Sequence, residues 1–300
     1  MSNVIGILNG LTITSKGSIA FVQIQPVAMG IQLAAPSRIY DWTSFAKAEE
    51  ALFQVVDALS IYYHVPQALG VDRKWFPVAV EAERMVTSEP VELAIVQQAF
   101  DELNNSPHSR VIRSILRVVQ RADQCEDWND RMLLLWMAFH TLYSFSKQRV
   151  ERMKIAGFLT EQHFLDEELK PWVDSWSAVN GFEALYGSGL VLAKWNKMTI
   201  PVAEDLRAAS EALAHQKGSY LDFTAKLLLT IFALRNQYVQ RSNPALDSET
   251  ERAVEMAART LDFLVRATVQ KQLNLSPVGA LNRVVLANHH NGRPIDFKAL

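Results

Sequence analysis

From Asp41 onward, apolar residues recur at intervals of three and four, and this periodicity constrains the fold more than any other feature of the chain. The sharpest case is the stretch 107–122. Val111, Ile112, Ile115, Leu116, Val118 and Val119 share one side of a helix, at ~100° per residue, and Arg110, Arg113, Arg117 and Arg121 fall opposite. The stretch 132–143 is apolar almost all round, which marks a helix at the centre of a core. The same spacing predicts helices over 43–63, 91–103, 131–156, 160–180, 199–215, 219–234 and 249–272, with another within 181–197. Boundaries follow from caps and breakers. Asp127–Asp130 starts the central helix, Gly157 ends it, Pro171 is a candidate break, Gly218 closes the 199–215 helix, and Ser219 with Asp222 resembles a capping box.

The first 40 residues differ. The segments 4–14, 18–25 and 30–34 are rich in β-branched and aliphatic residues and are punctuated by Gly10, Gly17, Pro26 and Gly30, the pattern of a small antiparallel sheet. The segment 75–80 reads as a further strand or a buried loop. The fold class is therefore mainly α: a helical bundle preceded by a small N-terminal β-containing region, divided into an N-terminal β/α region, 1–95, and a helical domain, 96–300.

Composition narrows function mainly by exclusion. A formal charge of −2 over 300 residues rules out a general polycation, so nucleic-acid binding would need a local basic patch. Cys125, the single cysteine, permits no disulfide within the chain and no Cys-based metal site, and it suits a reducing compartment. Glu126 and Asp127 beside it disfavour a thiolate. The chain opens without a charged leader followed by an apolar run, and its apolar windows are too short to span a bilayer, so a cytoplasmic protein without membrane contact is expected. Gly-rich phosphate loops, His-Glu-x-x-His and Gly-x-Ser-x-Gly are absent. The only adjacent histidines, His289 and His290, have no nearby acid, so neither a metal nor a cofactor is expected.

One short motif carries chemistry. The apolar run Leu228-Leu229-Thr230-Ile231-Phe232-Ala233-Leu234 is followed by Arg235-Asn236, three residues, and Gln240. This resembles the Arg-Asn-x-x-x-His signature of HEPN domains. The run 133–143, the opening Gly6-Ile7-Leu8-Asn9-Gly10-Leu11 and the amphipathic stretch 249–272 are similar to the Apea-like HEPN branch. The likeness covers about 131–273 moderately and the N-terminal region weakly. It implies a helical bundle that forms a homodimer, with two motifs meeting to cleave RNA without a metal. In that chemistry the motif Arg contacts the scissile phosphate, and the His carries a proton as the 2′-hydroxyl attacks.

Gln240 stands where the family has His, and an amide does not exchange a proton near neutral pH. The expectation is a catalytically degenerate HEPN-like protein that binds RNA or a protein partner; a stress or defence setting comes from the family alone. Two alternatives stay open. His140 in the central helix could supply the missing proton, giving an active ribonuclease built on Arg235, Asn236 and His140. Alternatively the chain is a helical scaffold, with His140 buried on a backbone hydrogen bond and Arg235-Asn236 merely closing the 219–234 helix. Arg110, Arg113, Arg117 and Arg121 span ~16 Å of helix, a spacing matched to duplex RNA phosphates, or else form a solvated face.

Overall fold

A computed structural model describes residues 3–8, 11–16, 19–24, 50, 53–63, 82–87, 93–144, 146–178, 181–187, 199–240 and 248–275. The chain is mainly helical. It divides into two compact units, the first holding 1–124 and the second 125–271, with short C-terminal pieces assigned to each. The sequence-based division at 95/96 thus differs from the unit boundary, which places the next two helices with the N-terminal strands. The expected strands 30–34 and 75–80, the apolar piece 278–286 and the pair His289-His290 lie outside the described residues.

In the first unit, β1 (Asn3–Leu8), β2 (Leu11–Lys16), β3 (Ile19–Ile24) and β4 (Ala82–Thr87) form an antiparallel sheet in the order β1-β2-β3-β4. Leu8 pairs with Leu11 and Lys16 with Ile19, so each connection has only two residues. Those dipeptides are Asn9-Gly10 and Gly17-Ser18, residue types favoured between paired strands. Helix α1 (residues 53–59), α2 (Leu93–Asn105) and α3 (Ser109–Asp123) complete the unit. In α3, Ile112, Ile115, Leu116 and Val119 are buried, as the periodicity requires.

The second unit contains α4 (Trp128–Tyr143), α5 (Glu151–Glu161), α6 (Asp166–Ser177), α7 (Glu183–Gly187), α8 (Thr199–Ala214), α9 (Tyr220–Gln240) and α10 (Ser248–Gln272). Helix α9 packs against α5, α6, α7 and α8. Asp127 starts α4 by accepting from the amides of Asn129 (2.7 Å) and Asp130 (3.1 Å).

Several expected boundaries move. The helix expected over 131–156 is two helices. After Tyr143, the Ser144 hydroxyl bonds the Thr141 carbonyl, and the Ser146 hydroxyl accepts from Gln148 N–H while donating to Glu161. Such side-chain bonds compete with the helical ladder. Gly157 lies inside α5 instead of ending it. The 160–180 helix begins only at Asp166, where Glu168 accepts from Leu165 N–H at 2.8 Å, and Pro171 sits inside it without breaking it. The 199–215 helix closes on Gln216, at φ 56°, not on Gly218: Lys217 N–H bonds Ala212 O and Gln216 N–H bonds Leu213 O.

The core of the second unit surrounds α10, which is buried from Met256 to Gln270, polar residues included. Trp172 stacks on Phe263 at 4.6 Å, and Phe182 meets both Trp172 and Phe223 edge-on. Gly181 fits because an added Cβ would lie 2.9 Å from the Trp176 ring and 3.1 Å from its carbonyl. Charged residues of α10 are neutralised along the helix: Arg266 bonds Asp262 at 2.8 Å and Arg259 bonds Glu255 at 2.7 Å. Arg259 also lies over Trp128 (4.9 Å) and Trp176 (5.2 Å), and Arg131 covers Trp128 at 5.1 Å. Burial pushes the Arg259 guanidinium below its ordinary pKa, against the pull of Glu255.

Candidate phosphate-binding site

Helix α9 does not stop at Leu234. It continues through Arg235 and Asn236 to Gln240. The helix-closing reading of Arg235-Asn236 is therefore corrected: both residues lie in the last third of a continuous helix. Persistence of the helix also sets geometry within the motif. At ~100° per residue, positions 235 and 240 are ~140° apart around the axis, whereas 236 and 240 are one turn apart on one side. Within a single chain the helix thus separates the Arg and Gln positions of the motif. The Gln240 side chain lies outside the described structure.

Arg235 is half-buried and held from two sides. Its Nη1 donates to Asn236 Oδ1 at 2.8 Å, and its guanidinium carbon lies 5.7 Å from the centroid of the Trp136 ring. Trp136 is itself clamped by Phe232 (stacked, 5.9 Å), Phe139 (5.7 Å) and Tyr143 (6.2 Å). Among the described residues the buried Nε of Arg235 has no acceptor, and no carboxylate pairs with the side chain. Nε and Nη2 form the edge of a guanidinium that grips two oxygens of one anion, and Asn236 occupies the other side of the group. The result is an oriented cation whose bidentate edge has no acceptor among the described residues.

Tyr143, one turn after Phe139, donates its hydroxyl to Glu151 Oε1 at 2.7 Å. Burial, followed by the Glu151 hydrogen bond, pushes the phenol well above its usual pKa, partly opposed by the charge of Arg235. Tyr143 is therefore a hydrogen-bond donor at neutral pH and no base. His140 is exposed, with its ring edge-on to Tyr143 at 5.0 Å. This corrects the reading of His140 as a buried, backbone-bonded residue. It belongs to the same aromatic cluster that supports Arg235, although the two are linked through Tyr143 and Trp136, not by direct contact.

The arginine stripe of α3 proves unequal. Arg113 is turned to internal use: it bonds Asp57 Oδ2 at 2.9 Å, Ser109 Oγ at 3.3 Å and the Asn104 side chain. Asp57 is buried and also accepts from Gln120 Nε2 at 3.0 Å, while Ser60 Oγ accepts from the same Gln120 nitrogen. Burial raises the Asp57 pKa despite these partners. Arg110, Arg117 and Arg121 are exposed, with Arg117 5.9 Å from the Phe53 ring centroid. This remnant stripe lies in the first compact unit and the Arg235 cluster in the second. Asp57 was not singled out from sequence. Its only signal was an acid inside the apolar 53–63 segment.

Among the described residues no group of three His, Cys, Asp or Glu is placed to hold a metal, and no helix is long and apolar enough to cross a membrane. No known family model matches the sequence, and comparisons with curated proteins and with solved structures return no match.

Proposed function

We propose that the protein is a HEPN-like RNA-binding protein that holds a backbone phosphate at Arg235 and does not cleave it. The observation that carries this reading is the state of Arg235: fixed by Asn236 and Trp136, unpaired by any described carboxylate, and left with a buried Nε without an acceptor. A buried donor left unsatisfied costs about 1–3 kcal/mol, which a phosphate oxygen would relieve once the side chains covering Nε shift aside. The absence of a proton carrier at position 240 favours binding over chemistry. The family resemblance adds a homodimer to the proposal, and the single cysteine suits a cytoplasmic setting. Arg110, Arg117 and Arg121 would add a second, weaker phosphate contact.

A second reading, the active ribonuclease, draws on the exposure of His140 beside Tyr143. One experiment separates the two. Purified protein is incubated with end-labelled single-stranded and duplex RNA in chelator, and both retention and cleavage are measured. Retention without cleavage, lost in Arg235→Ala, supports the binding protein. Cleavage lost in His140→Ala supports the enzyme. Neither retention nor cleavage leaves the helical scaffold.

A further inference from the structure

The connection between α4 and α5 presents a second surface, independent of the Arg235 site. Within seven residues, Lys147, Arg149 and Arg152 are exposed cations, and Val150 and Met153 are exposed aliphatic side chains at 59% and 55%. The segment is ordered from beneath. Ser146 Oγ bonds Glu161 at 2.8 Å, and Lys154 Nζ reaches the Ser144 carbonyl at 3.4 Å. Its one carboxylate, Glu151, is engaged by the Tyr143 hydroxyl. Among the described residues, none of Lys147, Arg149 and Arg152 is paired with an acid. Val150 is the extended N-cap of α5, and its carbonyl accepts from Met153 N–H at 2.9 Å, so both exposed aliphatic side chains sit at the helix start beside Arg149 and Arg152.

We propose that this face docks an acidic amphipathic segment of a partner protein. The cations call for an anionic occupant, because none of the three has an acid partner among the described residues. The aliphatic pair decides which anion. A phosphodiester backbone offers nothing to Val150 and Met153, and none of these residues is an aromatic platform for a base. A membrane-bound surface helix carries a longer apolar face with aromatic or leucine anchors. A peptide that alternates carboxylates with leucine-like side chains satisfies both halves of the patch, with apolar contacts central and charges at the rim.

The test uses the full-length protein and a fluorescent peptide of about 16 residues, with Glu at the exposed positions and Leu at i, i+3, i+4 and i+7, against a scrambled peptide of identical composition. Polarisation should show binding of the amphipathic peptide at least about tenfold tighter than its scramble. Arg149→Glu/Arg152→Glu and Met153→Asp should each weaken it at least about tenfold, while Arg252→Glu, an exposed charge reversal elsewhere, should change it less than about twofold. Because the altered side chains are exposed, circular dichroism should match the wild type, and the two surface variants check each other. Labelled poly(U) and phosphatidylserine vesicles form parallel arms. Failure of the amphipathic peptide to bind, equal binding of the scramble, or losses confined to the poly(U) or vesicle arm would each overturn the proposal. None of these outcomes bears on the Arg235 site, whose own variant is Arg235→Ala.

Discussion

Arg235 and Trp136 face each other across two helices, guanidinium carbon over indole ring at 5.7 Å, and the contact holds the cation without neutralising it. A carboxylate partner would have satisfied the charge and closed the site. An aromatic face orients it and leaves the fork of donors for an anion.

That geometry makes Arg235→Lys the informative variant. Lysine keeps the charge but loses the planar bidentate edge, so RNA retention should fall nearly as far as in Arg235→Ala, about 10-fold or more, taking about 1.5–3 kcal/mol for a hydrogen bond to a charged group. Asn236→Ala frees Nη1 and should weaken binding by a smaller factor. Filter binding at two salt concentrations measures both. If Arg235→Lys binds like the wild type, the site is a diffuse charge and not a phosphate fork.

The Asp57 network gives a pH test in the first unit. Burial raises the carboxyl above its ordinary value of 3.8, so the folded state binds its proton more tightly than the unfolded state. The stability this group contributes is then fully present below that value and is lost as pH rises through the folded pKa. Relative to Asp57→Asn, which does not titrate, wild-type stability should decline as pH rises from the ordinary carboxyl value through the raised one. Urea denaturation at several pH values from about 3.5 upward reads the difference. Parallel curves for the two proteins would show that Arg113 and Gln120 fully offset the burial.

In the second unit, Asp262 and Arg266 form an almost wholly buried pair, with side-chain exposures of 3% and 0%. Asp262→Asn should destabilise the protein by about 3–5 kcal/mol, because Arg266 would keep its charge in the interior. Chemical denaturation should show a lower midpoint with an unchanged slope. A loss below about 1 kcal/mol would mean that the other contacts of Arg266 hold its charge without Asp262.

What could be read in advance follows from how each element is stabilised. Helix α3 was legible because Ile112, Ile115, Leu116 and Val119 make one buried stripe. The interruption after Tyr143 was not, since it depends on hydroxyls of Ser144 and Ser146 finding partners that only the fold supplies. Gly157 read as a stop, yet a glycine on a half-exposed helical position costs only about 1 kcal/mol relative to alanine, which packing of Ile155, Phe158 and Leu159 outweighs. The charges of α10 disguised its burial: the sequence pattern marked a stripe of Ala253, Met256, Ala257, Leu261, Leu264 and Val265, whereas pairing at i,i+4 lets the polar side enter the interior too. At the candidate site, Arg235 and Asn236 were visible as residue types. Their mid-helix setting, the Trp136 platform and the exposure of His140 depend on contacts between helices and had no signature in the motif itself.

Gln240 supplies the last prediction. If the site is a HEPN-like one that lacks its proton carrier, Gln240→His should confer metal-independent cleavage that leaves a 2′,3′-cyclic phosphate, with general acid–base catalysis worth about 10²–10⁴-fold over the wild type. The continuous helix adds a condition. Positions 235 and 240 stand ~140° apart around α9, on different sides of one helix. Cleavage should therefore require two chains related by a two-fold axis, with the imidazole of one motif completing the Arg235 site of the other. Activity per chain should rise with protein concentration and plateau when light scattering shows a dimer. Gln240→His/Arg235→Ala should be inactive alone, and mixing it with the single variant should leave activity per active chain unchanged, because each mixed dimer keeps one Arg235 site completed by the introduced imidazole of the other chain. A Gln240→His protein that folds, dimerises and binds RNA yet cleaves no faster than the wild type would end the nuclease-derived reading of the motif, while leaving phosphate binding at Arg235 to stand on its own variants.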